Sequence, residues 1–204
     1  LEAVDMGLSV LWANMNVGAP SQNGDGDYFA WGETSTKSSV LLYRQDYYFD
    51  KEYTEFSASG KTVLDLEHDV AHVKWGGDWR MPTQAEIAEL FDPTKTEWSY
   101  VNYYGEEING VKCYNGMKIT SLTTHNSIFL KSTGYYKDSG LEYNDSEGLY
   151  WSSTICGNDS AYRLKFSYPY NTSDGYHERH DVASSSYRYY GLPVRPVCDK
   201  PSSE

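Results

Sequence analysis

Only two stretches of this chain carry a helical period, and both are short and lie in its first half. Over residues 65–75, Leu66, Val70 and Val73 recur at helical spacing, and Gly76-Gly77 supplies a stop. Over 83–91, Ile87, Leu90 and Phe91 form one apolar face. Thr83 with Glu86 three residues on is a capping box, and Pro82 stands just before it. The rest reads as short strands and turns. Residues 8–13 are apolar and strand-like, and Asn16-Val17-Gly18-Ala19-Pro20 follows as a turn. Residues 127–130 and 150–153 are further candidate strands, and 194–197 closes the domain. From 162 to 168 the chain alternates, with Tyr162, Leu164, Phe166 and Tyr168 on one side and Arg163, Lys165 and Ser167 on the other. Pro169 is expected to end that ladder. Helices first and strands later predict an α+β domain with a small, twisted, mostly antiparallel sheet and long loops. No linker or charge block divides the chain, so residues 1–199 read as one domain and 200–204 as a disordered tail.

Composition narrows the partners. The formal net charge of −12 argues against nucleic acid, which needs a basic face, and against docking on anionic lipid. No apolar run approaches the ~18–20 residues of a membrane-spanning helix, so no direct insertion of this domain is expected. The chain opens on Leu1-Glu2-Ala3, and the expectation is that an export signal or lipid anchor would precede it. Cys113, Cys156 and Cys198 show no C-x-x-C spacing, which leaves a Cys156–Cys198 disulfide open.

Six ordered segments carry a resemblance. They are Leu11-Trp12-Ala13-Asn14-Met15-Asn16-Val17-Gly18-Ala19, Asp27-Tyr28-Phe29-Ala30-Trp31-Gly32-Glu33-Thr34 and Ala71-His72-Val73-Lys74-Trp75-Gly76-Gly77-Asp78-Trp79-Arg80-Met81-Pro82-Thr83. Ser127-Ile128-Phe129-Leu130, Tyr150-Trp151-Ser152-Ser153 and Val194-Arg195-Pro196-Val197-Cys198 complete the set. Across nearly its whole length the chain resembles the Fibrobacter succinogenes major paralogous domain family, abundant in exported proteins and lipoproteins of gut Bacteroidetes. That resemblance implies a C-type-lectin-like fold, in the branch shared with formylglycine-generating enzymes and the variable proteins of diversity-generating retroelements. It further implies that the terminal segments pair as neighbouring strands and that ligand contacts lie in the C-terminal half. It names no ligand, because such folds host unrelated functions. In the resembling family a cysteine often stands where Met15 is, which could partner Cys198, and that option is gone here. The oxidase cysteine pair has no counterpart, and the Glu-Pro-Asn and Trp-Asn-Asp triplets of calcium-type sugar binding are absent.

The candidates for chemistry are sparse. His68 and His72 stand at i and i+4, the spacing of zinc-protease helices, but Asp69 occupies a position between them where those enzymes use glutamate, and no third ligand is evident. His177 and His180 are read as ligand contacts on a mixed-charge loop rather than as a chelate. Asn23, Asp25 and Asp27 alternate with glycines in a pattern better explained by side chains bonding their own backbone than by a calcium loop. Asp138, Glu142, Asn144, Asp145 and Glu147 form a second acidic cluster of the same kind. No catalytic residues, metal ligands or cofactor are assigned, with structural calcium the one ion left open. A glycosidase, with its paired carboxylates, has no distinctive support.

Residues 150–190 hold eight tyrosines, eight serines and several arginines, the composition of an antibody paratope. The assigned ligand contacts are Asn158, Asp159, Arg163, Lys165, Tyr168, Tyr170, Tyr176, His177, Arg179, His180, Tyr187, Arg188 and Tyr189. Trp151, Leu164 and Phe166 are assigned to the core by alternation. The expected protein is a non-enzymatic, surface-anchored or secreted binding domain, adhesin- or receptor-like, for a protein or glycan. A retroelement-diversified variable protein is one form of it. A pilus or surface-layer module and a metal-dependent hydrolase are the alternatives.

Overall fold

The computed structural model describes residues 1–36, 47, 56, 58–137, 140–173 and 175–202, and at 171–172 and 175–178 the backbone alone. In chain order the elements are β1 (Ala3–Asp5), β2 (Val10–Ala13), a 3-10 turn at Leu66–His68, α1 (Val70–Trp75) and α2 (Gln84–Leu90). There follow β3 (Thr96–Val101), β4 (Glu106–Ile108), β5 (Val111–Cys113), β6 (Gly116–Ser121), β7 (Ser127–Lys131), β8 (Tyr135–Lys137) and β9 (Gly140–Glu142). The chain ends with β10 (Glu147–Cys156), β11 (Ser160–Thr172), β12 (Gly175–Asp181), β13 (Ser185–Tyr187) and β14 (Val197–Asp199). All strand pairs are antiparallel within several small sheets, so the molecule is α+β with strand predominating. No helix among the described residues is long and apolar enough to cross a membrane.

The terminal segments meet in one sheet of order β1-β2-β14. Arg80 ties this sheet to α2. Its backbone bridges Val197, and its guanidinium bonds both Glu86, the capping-box residue of α2, and Asp199. The capping box itself is present as the sequence predicts, and Ile87, Leu90 and Phe91 are buried. The first helix is different. Asp69 is extended, and its carboxylate accepts from Ala71 N and His72 N, so α1 starts there and the 3-10 turn before it is a separate element. The buried face is Val70 and Ala71, whereas Leu66 and Val73 are exposed at 50 % and 48 %.

The largest sheet is β10-β11-β12, with β13 pairing β11 beside β12. It is clad on both faces. Tyr150, Leu164 and Phe166 enter one core with α2, β6 and β7. Leu149 and Trp151 enter a second with Phe29, Trp31, Leu192 and Val194. The indoles of that second core exchange hydrogen bonds with backbone, Trp31 Nε1 to Ser152 O at 2.8 Å and Trp151 Nε1 to Phe29 O at 2.7 Å. Gly148 makes this layering feasible, since a Cβ there would lie 2.1 Å from the Phe166 ring. Pro169 does not stop β11. The strand runs through it with a register shift between Ser167 and Tyr170, a bulge of the kind that admits proline. The expected loop at 168–180 is therefore a β-hairpin. The three cysteines are free thiols, Cys113 buried and Cys156 and Cys198 half-buried.

Candidate functional site

Gly134, with φ of +61°, and Gly148 form a parallel bridge that sets the β8–β9 hairpin against β10. A Cβ on Gly134 would meet Glu142 O at 2.2 Å, so the close approach requires glycine. The hairpin brings Tyr135 beside the segment that follows β13. Five rings then form a continuous series. Tyr143 stacks on Tyr135 at 6.0 Å, Tyr135 meets Tyr190 at 5.8 Å, Tyr190 meets Tyr187 at 5.7 Å, and Tyr187 lies parallel to Tyr189 at 5.6 Å. Tyr143 and Tyr187 are 51 % and 46 % exposed. Lys137 Nζ sits 5.9 Å from the centroids of both Tyr135 and Tyr143 and pairs with Glu142 at 2.7 Å. The Glu142 hydrogen bond holds the Lys137 ammonium above its usual range.

Beside this series lies the outward face of β11 and β12. Lys165 pairs with Glu147 at 3.0 Å, and Arg163 approaches Asp181 at 3.6 Å. Burial pushes the Arg163 guanidinium down. Burial also works against the ionised Asp181 carboxyl, but hydrogen bonds from Ser184 and Ala183 outweigh it and hold the group low. The bulge at Pro169 separates two tyrosines that strict alternation keeps together. Tyr168 packs edge-on against Tyr100 at 5.1 Å, while Tyr170 accepts the Arg179 guanidinium over its ring at 4.1 Å and onto its hydroxyl at 2.7 Å. A cleft of about 190 Å³ opens here, lined by Glu147, Lys165, Phe166, Ser167, Arg179, His180 and Asp181.

The sequence-predicted contacts divide accordingly. Lys165, Tyr168, Tyr170, Arg179, Tyr187 and Tyr189 lie at the surface, the first and last half-buried. Asn158 and Asp159 are exposed in the β10–β11 turn. Three assignments are corrected. Arg188 is buried at 3 % exposure, donating from its guanidinium to Asn158 O and from its backbone to Asp159 O at 3.0 Å, so it holds the turn from beneath. Arg163 points to the predicted side, yet its side chain is only 11 % exposed because Asp181 and Ser186 draw it down. His180 lies flat on Phe91 at 4.9 Å and edge-on to Trp98 at 4.8 Å, and burial lowers its pKa, so it packs on the core. The side chains of Tyr176 and His177 lie outside the described residues.

Sequence reasoning misses Tyr135, Lys137 and Tyr143, whereas Tyr190 belongs to the tyrosine-rich 150–190 region without being among the assigned contacts. No local signal marks the first three, because the hairpin and residues 187–190 meet only through the fold. The ion-site readings change as well. His68 and His72 fall on either side of extended Asp69 and do not share a helix face. His68 instead lies within 4.8 Å of Asp65 and Glu67 on the 3-10 turn, where Asp65 pairs with Lys61 at 2.7 Å. In the second acidic cluster, Glu142, Asp145 and Glu147 are drawn apart by Lys137, Lys131 and Lys165, while Asp138 lies outside the described residues. Asn23 and Asp25 bond distant segments, Tyr114 N and Asn144, rather than their own backbone. No family model, curated protein or solved structure matches the chain.

Proposed function

We propose that this chain is an extracytoplasmic ligand-binding domain, adhesin- or receptor-like, whose contact surface is the tyrosine series 143–135–190–187–189 with the outward face of β11 and β12. The observation that carries the reading is the series itself, five rings gathered from two segments with two of them about half exposed. Rings of this kind give large contact area at low conformational cost, and their hydroxyls remain available for polar contacts. The motif resemblance to the Fibrobacter succinogenes major paralogous domain family supports a C-type-lectin-like fold and a cell-surface or secreted setting. The β1-β2-β14 sheet, which joins the two terminal segments, accords with that proposal. A template repeat beside the gene, differing from it at adenines, would support the further reading as a retroelement-diversified protein.

The test is an array of glycans and bacterial or host surface proteins, probed with wild type and with a Tyr143→Ala, Tyr187→Ala double variant. Both side chains are exposed, so the fold is expected to survive their loss. Hits that vanish in the double variant support the surface. An unchanged hit list from a folded double variant overturns it.

A further inference from the structure

The tyrosine series borders a charged cleft whose chemistry differs from the rest of the surface. The chain as a whole carries −12, yet among the described residues Lys165 and Arg179 line this cleft with Glu147 and Asp181, and Asp181 is approached by Arg163, which does not line it. Lys165 is matched by Glu147 and Arg163 by Asp181. Arg179 has no carboxylate partner among the described residues and is oriented by Tyr170 alone. The Ser167 hydroxyl lines the same space. With Glu147 and Asp181 each matched by a cation, Arg179 and the Ser167 hydroxyl are left to donate into the cleft, which is a setting for an anion.

At about 190 Å³ the cleft holds one small group rather than a whole ligand. Planar, forked donors such as Arg179 suit a carboxylate. The neighbouring surface offers flat ring faces, not the deep apolar pocket that anchors a peptide side chain. The two parts adjoin at Glu147, whose backbone accepts from Gly134 N at 2.7 Å and donates to Tyr143 O at 2.9 Å. We propose that this cleft, between β10, β11 and β12, is a subsite for the carboxylate of an acidic sugar residue, whose neighbouring pyranose rings lie on the tyrosine series. This rests on the binding-face reading above and names its ligand class.

Calorimetric titration of the whole chain with tetragalacturonate, neutral cellotetraose and a tetraglutamate peptide tests it. Tetragalacturonate is expected to bind at least about tenfold more tightly than either other probe, the factor that one charged hydrogen bond supplies. Its affinity should fall as salt is raised. Arg179→Gln should weaken it by about tenfold with an unchanged unfolding temperature, because Arg179 is exposed. Lys165→Gln should weaken it in the same direction. Equal binding of cellotetraose, or full affinity in a folded Arg179→Gln protein, overturns the subsite while leaving the tyrosine surface to stand or fall on its own array result. Preference for tetraglutamate overturns it in favour of an acidic peptide, and no binding of any probe overturns it outright.

Discussion

Arg195 is 1 % exposed and has no carboxylate partner among the described residues. Its guanidinium instead donates to Asn16 Oδ1 at 2.8 Å, Ala13 O at 3.2 Å and Phe129 O at 2.8 Å, joining β2, β7 and the turn after β2. Burial pushes its pKa down to about 10. Truncation would strand three buried acceptors, so Arg195→Met is expected to cost about 3 kcal/mol or more in urea unfolding. Arg195→Lys should recover less than half of that, because one ammonium cannot reproduce the planar fork. A loss below about 1 kcal/mol for Arg195→Met would mean the fork is replaceable. Nothing local in Val194-Arg195-Pro196 shows that this arginine is interior. Arg188 and Arg163, assigned as ligand contacts from sequence, are buried without a local signal for the same reason, since burial of a charge depends on acceptors supplied from elsewhere.

At the scale of elements, Asp69 decides where α1 begins. One carboxylate oxygen accepts from Ala71 N at 3.0 Å and His72 N at 3.2 Å, and the other accepts from Met81 N at 2.8 Å. Asp69→Ala should therefore cost about 2 kcal/mol, more than an ordinary cap. Asp69→Asn should cost nearly as much although asparagine is a good cap, because its amide would face the Met81 N–H donor to donor. Thermal unfolding of both variants checks this, and a neutral Asp69→Asn would sink the dual role. The second helix was legible because its cap, box and apolar face are all contiguous in sequence. The first was misjudged because Leu66, Val70 and Val73 fit a helical period that the Asp69–Met81 contact interrupts. The β11 ladder was legible up to Ser167. Its continuation through Pro169 depends on β12, which supplies the bulged partner.

Across the whole molecule the tyrosines serve two ends. Tyr150 is fully enclosed, donating to Lys131 O at 2.7 Å, and Tyr100 shares a hydrogen bond with Ser132 Oγ at 2.8 Å. Burial pushes both phenols up to about 12, against about 10 when unfolded. Above pH 10 the unfolded chain sheds these protons while the folded one keeps them, so stability should fall between pH 10 and 12. Arg195 acts in the opposite sense over that window, since its lowered pKa lets the folded state lose its proton first. Two phenols outweigh one guanidinium. The urea midpoint is expected to drop through this range, less steeply in Tyr150→Phe, and a flat profile would contradict it. The other group of tyrosines, at 135, 143, 187, 189 and 190, stays at the surface and forms the candidate site.

Local order alone determined the α2 helix with its capping box, the alternation of β11 that buries Leu164 and Phe166, and the concentration of tyrosine in the C-terminal third. Each depends on side chains within a few residues of one another. The tertiary structure decided which tyrosines are core and which are surface, which arginines are exposed, and that Tyr135, Lys137 and Tyr143 join Tyr187, Tyr189 and Tyr190. Those outcomes depend on burial and on partners about fifty residues away, brought together by the Tyr136–Gly191 bridge rather than by any periodicity in the chain.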